Sequence, residues 1–209
     1  MSEPPESYNV PLGTAEYRII VKGSKFVGYC GRAADEASAM EFIGARSRQN
    51  HGATHNCWAF RVGDPADPVE RSSDEGEPSG TAGRPMLEQL VKNNLIGAVL
   101  VVSRWFGGTK LGRGGLIRAY GGCAAETLKL LKTRIRKPSV TVKVECGYDL
   151  VGLVERTAAV CSGRVLSGDY LEKVCLLVEL PLNSEEKFRK AVSEASGGNA
   201  RIMDVDAVA

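Results

Sequence analysis

Ile96-Gly-Ala-Val-Leu-Val-Val102 leads through Ser103 into Arg104-Trp-Phe-Gly-Gly-Thr-Lys-Leu-Gly-Arg-Gly-Gly-Leu-Ile-Arg-Ala-Tyr-Gly-Gly122. The first run is continuously apolar, the mark of a strand buried on both faces. The second holds seven glycines, four basic residues and no acid in nineteen positions. Glycine loses more backbone entropy than any other residue on folding, so a dense run marks positive φ or close backbone approach. Leu116, Tyr120, Cys123, Ala124, Thr127, Leu128 and Leu131 then recur at steps of three and four, which predicts a helix of about four to five turns. Gly121 and Gly122 inside it cost roughly 1 kcal/mol each relative to Ala, which is read as close packing of the helix on a sheet.

Upstream, residues 1–15 are rich in Pro, Glu and Ser and read as a disordered lead-in. Tyr17–Val21 and Lys25–Gly31 read as strands around Lys22-Gly23-Ser24. Asp35 is placed to cap a helix reaching about Arg48. A polar loop, Gln49 to Asn56, leads to a strand over Cys57–Val62, and 63–80 reads as one long loop. Pro85 suits the first turn of a helix running to Asn94.

Downstream, Lys132–Pro138 is a basic connector, taken as the domain boundary. Val140–Cys146 alternates as a strand. Asp149 is placed to cap a helix through Val160. Arg164–Ser167 and Leu171–Leu180 read as strands around Ser167-Gly168-Asp169. Asn183 and Glu186 suggest a capping box, Gly197-Gly198 a helix end, and Ala200–Val205 a last strand. The order is βαββαβ, the ferredoxin-like arrangement. The expectation is an α+β chain with domains at 16–135 and 138–206.

Hydrophobic residues make up 43% of the 209 positions, enough for packed cores, and charged residues 25%, an ordinary globular value. No apolar stretch is long enough to span a membrane. Met1-Ser-Glu-Pro-Pro-Glu-Ser7 is polar and acidic, unlike a signal peptide, which predicts a cytoplasmic chain. The six cysteines are widely spaced without a C-x-x-C and read as reduced, mostly buried thiols. Net charge is only +2, yet Arg104–Lys137 carries nine basic residues against Glu126, so that segment is +8 and the remainder −6. Between 64 and 77, six acids face only Arg71. Such segregation either creates a local field or lets the two segments neutralise each other.

The glycine run departs from both standard nucleotide loops. Gly107-Gly-Thr-Lys-Leu-Gly112 has the P-loop gap, but Arg113 and Gly114 stand where Lys and Ser/Thr belong. A dinucleotide fingerprint fails because Ile117 occupies the third glycine position. Backbone N–H groups following Gly112, with Lys110 and Arg113, suit a phosphate; the alternative is a tight strand-to-helix turn with solvated basic residues. Trp105 and Phe106 either stack bases or plug the mouth of a core. His51, His55 and Cys57 are spaced like three zinc ligands, with no fourth nearby; the other reading has His55 anchoring the loop. No metal or cofactor is expected. Asp74-Glu-Gly-Glu77 is either a solvated acidic turn or part of a joint site, since Pro78-Ser-Gly-Thr-Ala-Gly83 forms a second glycine-bearing loop before a helix.

Ala53-Thr-His-Asn-Cys57, Ser73-Asp-Glu-Gly-Glu-Pro-Ser-Gly-Thr-Ala-Gly-Arg-Pro-Met86 and Trp105-Phe-Gly-Gly-Thr-Lys-Leu-Gly-Arg-Gly-Gly-Leu-Ile-Arg-Ala-Tyr-Gly121 resemble the signatures of the IMPACT/YigZ family. The motifs stand in the family's order and span most of 18–131. The resemblance implies a first domain like domain 2 of ribosomal protein S5 and a small ferredoxin-like second domain. It implies a translation-linked role. In eukaryotic members that role is restraint of a starvation-sensing kinase, a stress response involving an RWD domain outside these motifs. For the two-domain form it implies nucleic-acid or ribosome binding and brings no catalytic activity.

The expected function is therefore regulatory docking on RNA, the ribosome or a translation-regulatory protein. The candidate anion-binding residues are Arg104, Lys110, Arg113, Arg118, Gly107, Gly108, Gly112, Gly114 and Gly115, and the docking reading predicts a contiguous basic surface from Arg104 to Lys137. The alternative is an enzyme holding a phosphorylated or nucleotide ligand between 74–83 and 107–115, with His55, Asp74, Glu75 and Thr81 on the second loop. That alternative requires the two loops to face each other.

Overall fold

The computed structural model describes residues 5–205. The chain divides into two compact units, Met1–Arg136 and Lys137–Ala209. The first contains β1 (Tyr8–Pro11), β2 (Ala15–Val21), β3 (Ser24–Arg32), α1 (Glu36–Gln49), β4 (His55–Val62), β5 (Val69–Ser73), α2 (Gly83–Lys92), β6 (Ala98–Trp105), α3 (Gly112–Leu130) and β7 (Thr133–Arg136). Five strands form an antiparallel sheet in the order β2-β3-β6-β4-β5. Side chains alternate across a strand, and here both faces are covered. Ala98, Leu100 and Val102 of β6 join the core with Met86 and Leu90 of α2 and Leu116, Tyr120 and Cys123 of α3. Val99 and Val101 join Ala39 and Ile43 of α1 on the opposite face. The uninterrupted apolar run of β6 is the sequence image of that central position.

Each helix has a local cause. Asp35 caps α1 reciprocally: its carboxylate accepts from Ser38 N at 2.8 Å, while Ser38 Oγ accepts from Asp35 N at 3.1 Å. α3 packs flat on β3 because Gly28 leaves room; a Cβ there would meet Thr127 and Cys123 side chains. The glycines of α3 itself are not packed on the sheet as expected. A Cβ on Gly121 would make only ordinary contact with Pro85 of α2, and one on Gly122 would meet nothing within 4 Å.

Two stretches expected to lack regular structure contain strands. Tyr8–Pro11, inside the expected lead-in over 1–15, pairs antiparallel with Thr133–Arg136, inside the expected connector. The long loop 63–80 contains β5, which pairs with β4. β1 finds its partner at the far end of the unit, and β5 pairs with its neighbour β4 through Val-Glu-Arg-Ser-Ser, which has no apolar alternation, so local composition announces neither.

The second unit runs β8 (Ser139–Cys146), α4 (Val151–Val160), β9 (Arg164–Tyr170), β10 (Val174–Pro181), α5 (Glu185–Ala195) and β11 (Arg201–Asp204). Its antiparallel sheet has the order β11-β8-β10-β9, the ferredoxin-like arrangement. Val174, Leu176, Val178 and Leu180 bury alternate positions of β10 against Val154 of α4 and Phe188 and Val192 of α5. Three local expectations are corrected. Asp149 lies in a 3₁₀ turn over Tyr148–Leu150, and no side chain caps α4. Leu182–Ser184 is another 3₁₀ turn, so Asn183 and Glu186 form no capping box. Ser167-Gly168-Asp169 continues β9, and the chain reverses after Tyr170.

Candidate functional site

The site is built where β6 ends and α3 begins. β6 delivers Arg104 beneath the turn that precedes α2. Arg104 Nη1 donates to Glu77 Oε1 at 2.6 Å, with 6% and 3% of the two side chains exposed. Tyr120 of α3 donates its hydroxyl to the same oxygen at 2.8 Å. His55 Nε2 stands 4.0 Å from it. Ser24 Oγ lies 3.4 Å from Arg104 Nη2 and accepts the Gly107 N–H at 3.1 Å. Arg104 Nε is buried with no hydrogen-bond partner among the described residues. A buried charge pair needs such a shell of donors, because each ion has left water.

Glu77 is the centre that sequence reasoning missed. It stands beside Asp74 and Glu75 in one acidic turn, and nothing local separates a buried carboxylate from a solvated one. The three acids have different tasks. Asp74 Oδ1 accepts from Ala82 N and Gly83 N, each at 2.8 Å, and Oδ2 accepts from Gly80 N at 2.7 Å. Burial raises the Asp74 pKa, but these backbone donors outweigh it and hold the carboxyl below its ordinary value. Asp74 is therefore the cap of α2. Glu75 is exposed, and its Oε1 accepts from Trp58 Nε1 and Ser73 Oγ. Thr81, a candidate second-loop residue, is fully buried and donates to Pro78 O at 2.6 Å; it closes the turn.

His55 faces inward, as a site residue or an anchor would. Its Nδ1 lies 2.8 Å from Glu75 O. A carbonyl only accepts, so Nδ1 carries the proton and Nε2 is presented to Glu77. The zinc-like spacing does not converge: His51 Nδ1 contacts Arg48 O, and Cys57 Sγ donates to Asp74 O. Burial pushes the thiols of Cys30, Cys57 and Cys123 up to about 12, so they are inert at neutral pH. All six cysteines are free, five of them buried.

The two glycine-bearing loops do meet. Arg113 Nη2 donates to Ser79 O at 2.8 Å. Glu77 and Pro78 from one loop, and Phe106 and Lys110–Arg113 from the other, line a cleft of about 300 Å³ with Arg104 and Leu116. Phe106 is 48% exposed there. Trp105 instead lies under the Lys25 ammonium, 3.5 Å from its ring centre. α3 starts at Gly112 with no side-chain cap, so its first N–H groups have no side-chain acceptor among the described residues. Gly112 has φ +69°, the turn that launches the helix, whereas Gly107 is required by close approach: a Cβ there would collide with the backbone of Gly23 and Ser24. Gly108, Gly114 and Gly115 complete the loop and the first helical turn.

Arg104 is removed from the anion-binding set, since Glu77 occupies it. Lys110, Arg113 and Arg118 remain exposed at the head of α3. The basic segment is not one continuous surface, because Lys132, Arg134 and Arg136 follow the far end of a 19-residue helix, about 28 Å away at 1.5 Å per residue. Among the described residues no cluster of three or more potential metal ligands occurs, and no helix is long and apolar enough to cross a membrane.

Fold and site together define a two-domain α+β protein: a ribosomal protein S5 domain 2-like unit carrying a glycine-rich helix start over a buried Glu–Arg pair, followed by a ferredoxin-like unit. Residues 22–128 match the Impact N-terminal domain and residues 144–199 a domain of unknown function, DUF1949. The chain belongs to the IMPACT family. It is 38% identical over 188 residues to IMPACT family member YvyE of Bacillus subtilis, covering 90% of this chain and 84% of the relative. It is 31% identical to IMPACT family member YigZ of Escherichia coli, covering 96% and 99% respectively. A solved structure, described as that of a hypothetical protein, superposes with a TM-score of 0.68 at 30% identity, covering 97% of this chain and 99% of the other.

Proposed function

We propose that this protein is a translation-associated regulatory protein that docks on RNA, free or ribosomal, through the head of α3. The observation that carries the reading is the uncapped N-terminus of α3 flanked by exposed Lys110 and Arg113. Uncapped N–H groups, the helix dipole and two cations make one compact anion site. Membership of the IMPACT family supports the translation-linked part. A salt titration of binding to single-stranded RNA tests it. Phosphate neutralisation releases counterions, so affinity falls steeply with salt. Lys110→Ala with Arg113→Ala is expected to flatten the log–log slope by about 1.4, or about 0.7 for each single-strand phosphate left without its cation. Unchanged binding and slope in that double variant would remove the site; capture of a regulatory protein in place of RNA would redirect it to a protein partner.

A second reading, an enzyme acting on a phosphorylated or nucleotide ligand, is favoured by the convergence of the two loops and by His55 beside Glu77. His55→Ala separates the two. An enzyme loses turnover but keeps ligand binding, and a docking protein changes in neither.

A further inference from the structure

The cleft contains more than a phosphate requires. Its rim is cationic at Lys110 and Arg113, yet its walls are apolar: Pro78, Phe106, Leu111 and Leu116. Its floor holds Glu77 and Arg104, both more than nine-tenths buried. Every contact to the Glu77 carboxylate falls on Oε1, and Oε2 takes no hydrogen bond from a described residue. Of these polar atoms, Arg104 Nε alone is wholly buried without a partner among the described residues. Buried polar groups are nearly always satisfied, so those that are not call for an explanation.

A phosphate or a bare sugar–phosphate backbone would use the rim and leave both the apolar walls and the floor idle. The complementary ligand has an anionic end, a flat apolar body and, on that body, an N–H donor for Glu77 and an acceptor for Arg104 Nε. A nucleotide has all of these: phosphate, base faces, and ring or exocyclic N–H groups beside carbonyl or ring-nitrogen acceptors. The volume, about 300 Å³, is at the lower end of small-ligand pockets and suits one such unit.

We propose that this cleft binds one nucleoside 5′-phosphate unit, with the base against Phe106 and Glu77 and the phosphate at Lys110, Arg113 and the head of α3. The unit comes either as a free mononucleotide or as one unstacked nucleotide of single-stranded RNA. Only the second source rests on the docking reading above.

Calorimetric titration of the intact protein with GMP, ribose 5-phosphate and inorganic phosphate tests the assignment. GMP is expected to bind at least about tenfold more tightly than ribose 5-phosphate, the range of one base–aromatic stack. Phe106→Ala should erase that difference while leaving phosphate binding unchanged. Its exposed side chain makes this variant safe for folding. Glu77→Gln should weaken GMP about tenfold; if it fails to fold, Phe106→Ala alone decides. Equal affinities for GMP and ribose 5-phosphate, or a Phe106→Ala variant that binds GMP like the parent, overturn the proposal. A short single-stranded RNA that displaces GMP identifies RNA as the source. GMP binding without RNA competition upholds the cleft and overturns docking. RNA binding that is insensitive to Phe106→Ala, with no GMP binding, does the reverse.

Discussion

Asp74, Glu75 and Glu77 are adjacent carboxylates with three fates, set by the donors each one meets. Asp74 replaces water with backbone N–H groups at the head of α2, which depresses its pKa. A depressed carboxyl contributes stability that is present above its unfolded value and lost as pH falls through the lower folded value. Asp74→Ala is therefore expected to cost about 0.5–2 kcal/mol at pH 7, the range for a lost helix cap. In urea unfolding series, the gap between parent and variant should close as pH drops below about 4, the ordinary aspartate value. Glu77 can be read only from the fold, because its partners Arg104 and Tyr120 lie 27 and 43 residues further on.

The head of α3 and its glycines belong to the scale of the element. The sequence predicts the helix and the turn before it, because glycine density and three–four periodicity are local signals. It does not say which glycine meets which constraint. Gly107 is fixed by the approach of the β2–β3 turn, while Gly122 faces open space in a helix interior. Gly122→Ala should raise stability by about 0.5–1 kcal/mol through helix propensity and a restricted unfolded chain. Gly107→Ala should lower it by about 2–3 kcal/mol, because the Cβ has nowhere to go. Thermal unfolding of the two variants checks both signs; equal effects would mean the glycines share one role.

The two units have separate cores at the scale of the molecule. Residues of β8 to β11, α4 and α5, with Cys161 and Ala200, form one buried cluster among the described residues. A chain of 137–209 is expected to unfold cooperatively by itself, as many domains of roughly 60 residues do. Circular dichroism in urea checks this, and a non-cooperative slope would show that the second core is insufficient alone.

The βαββαβ order, the central buried strand, the helix at the glycine run and the family motifs are all legible along the chain. Each is written in nearest-neighbour chemistry or short-period patterning, which survives without knowledge of the fold. Tertiary structure was needed to establish that Tyr8–Pro11 and Thr133–Arg136 pair, that Arg104 is committed to Glu77, that Thr81 closes a turn, and that the two glycine-bearing loops share one cleft. Those facts depend on residues far apart in the chain coming together, where burial changes what a charge costs. The same arginine is a phosphate ligand at the surface and half of an ion pair beneath it, and only its position in the fold distinguishes the two.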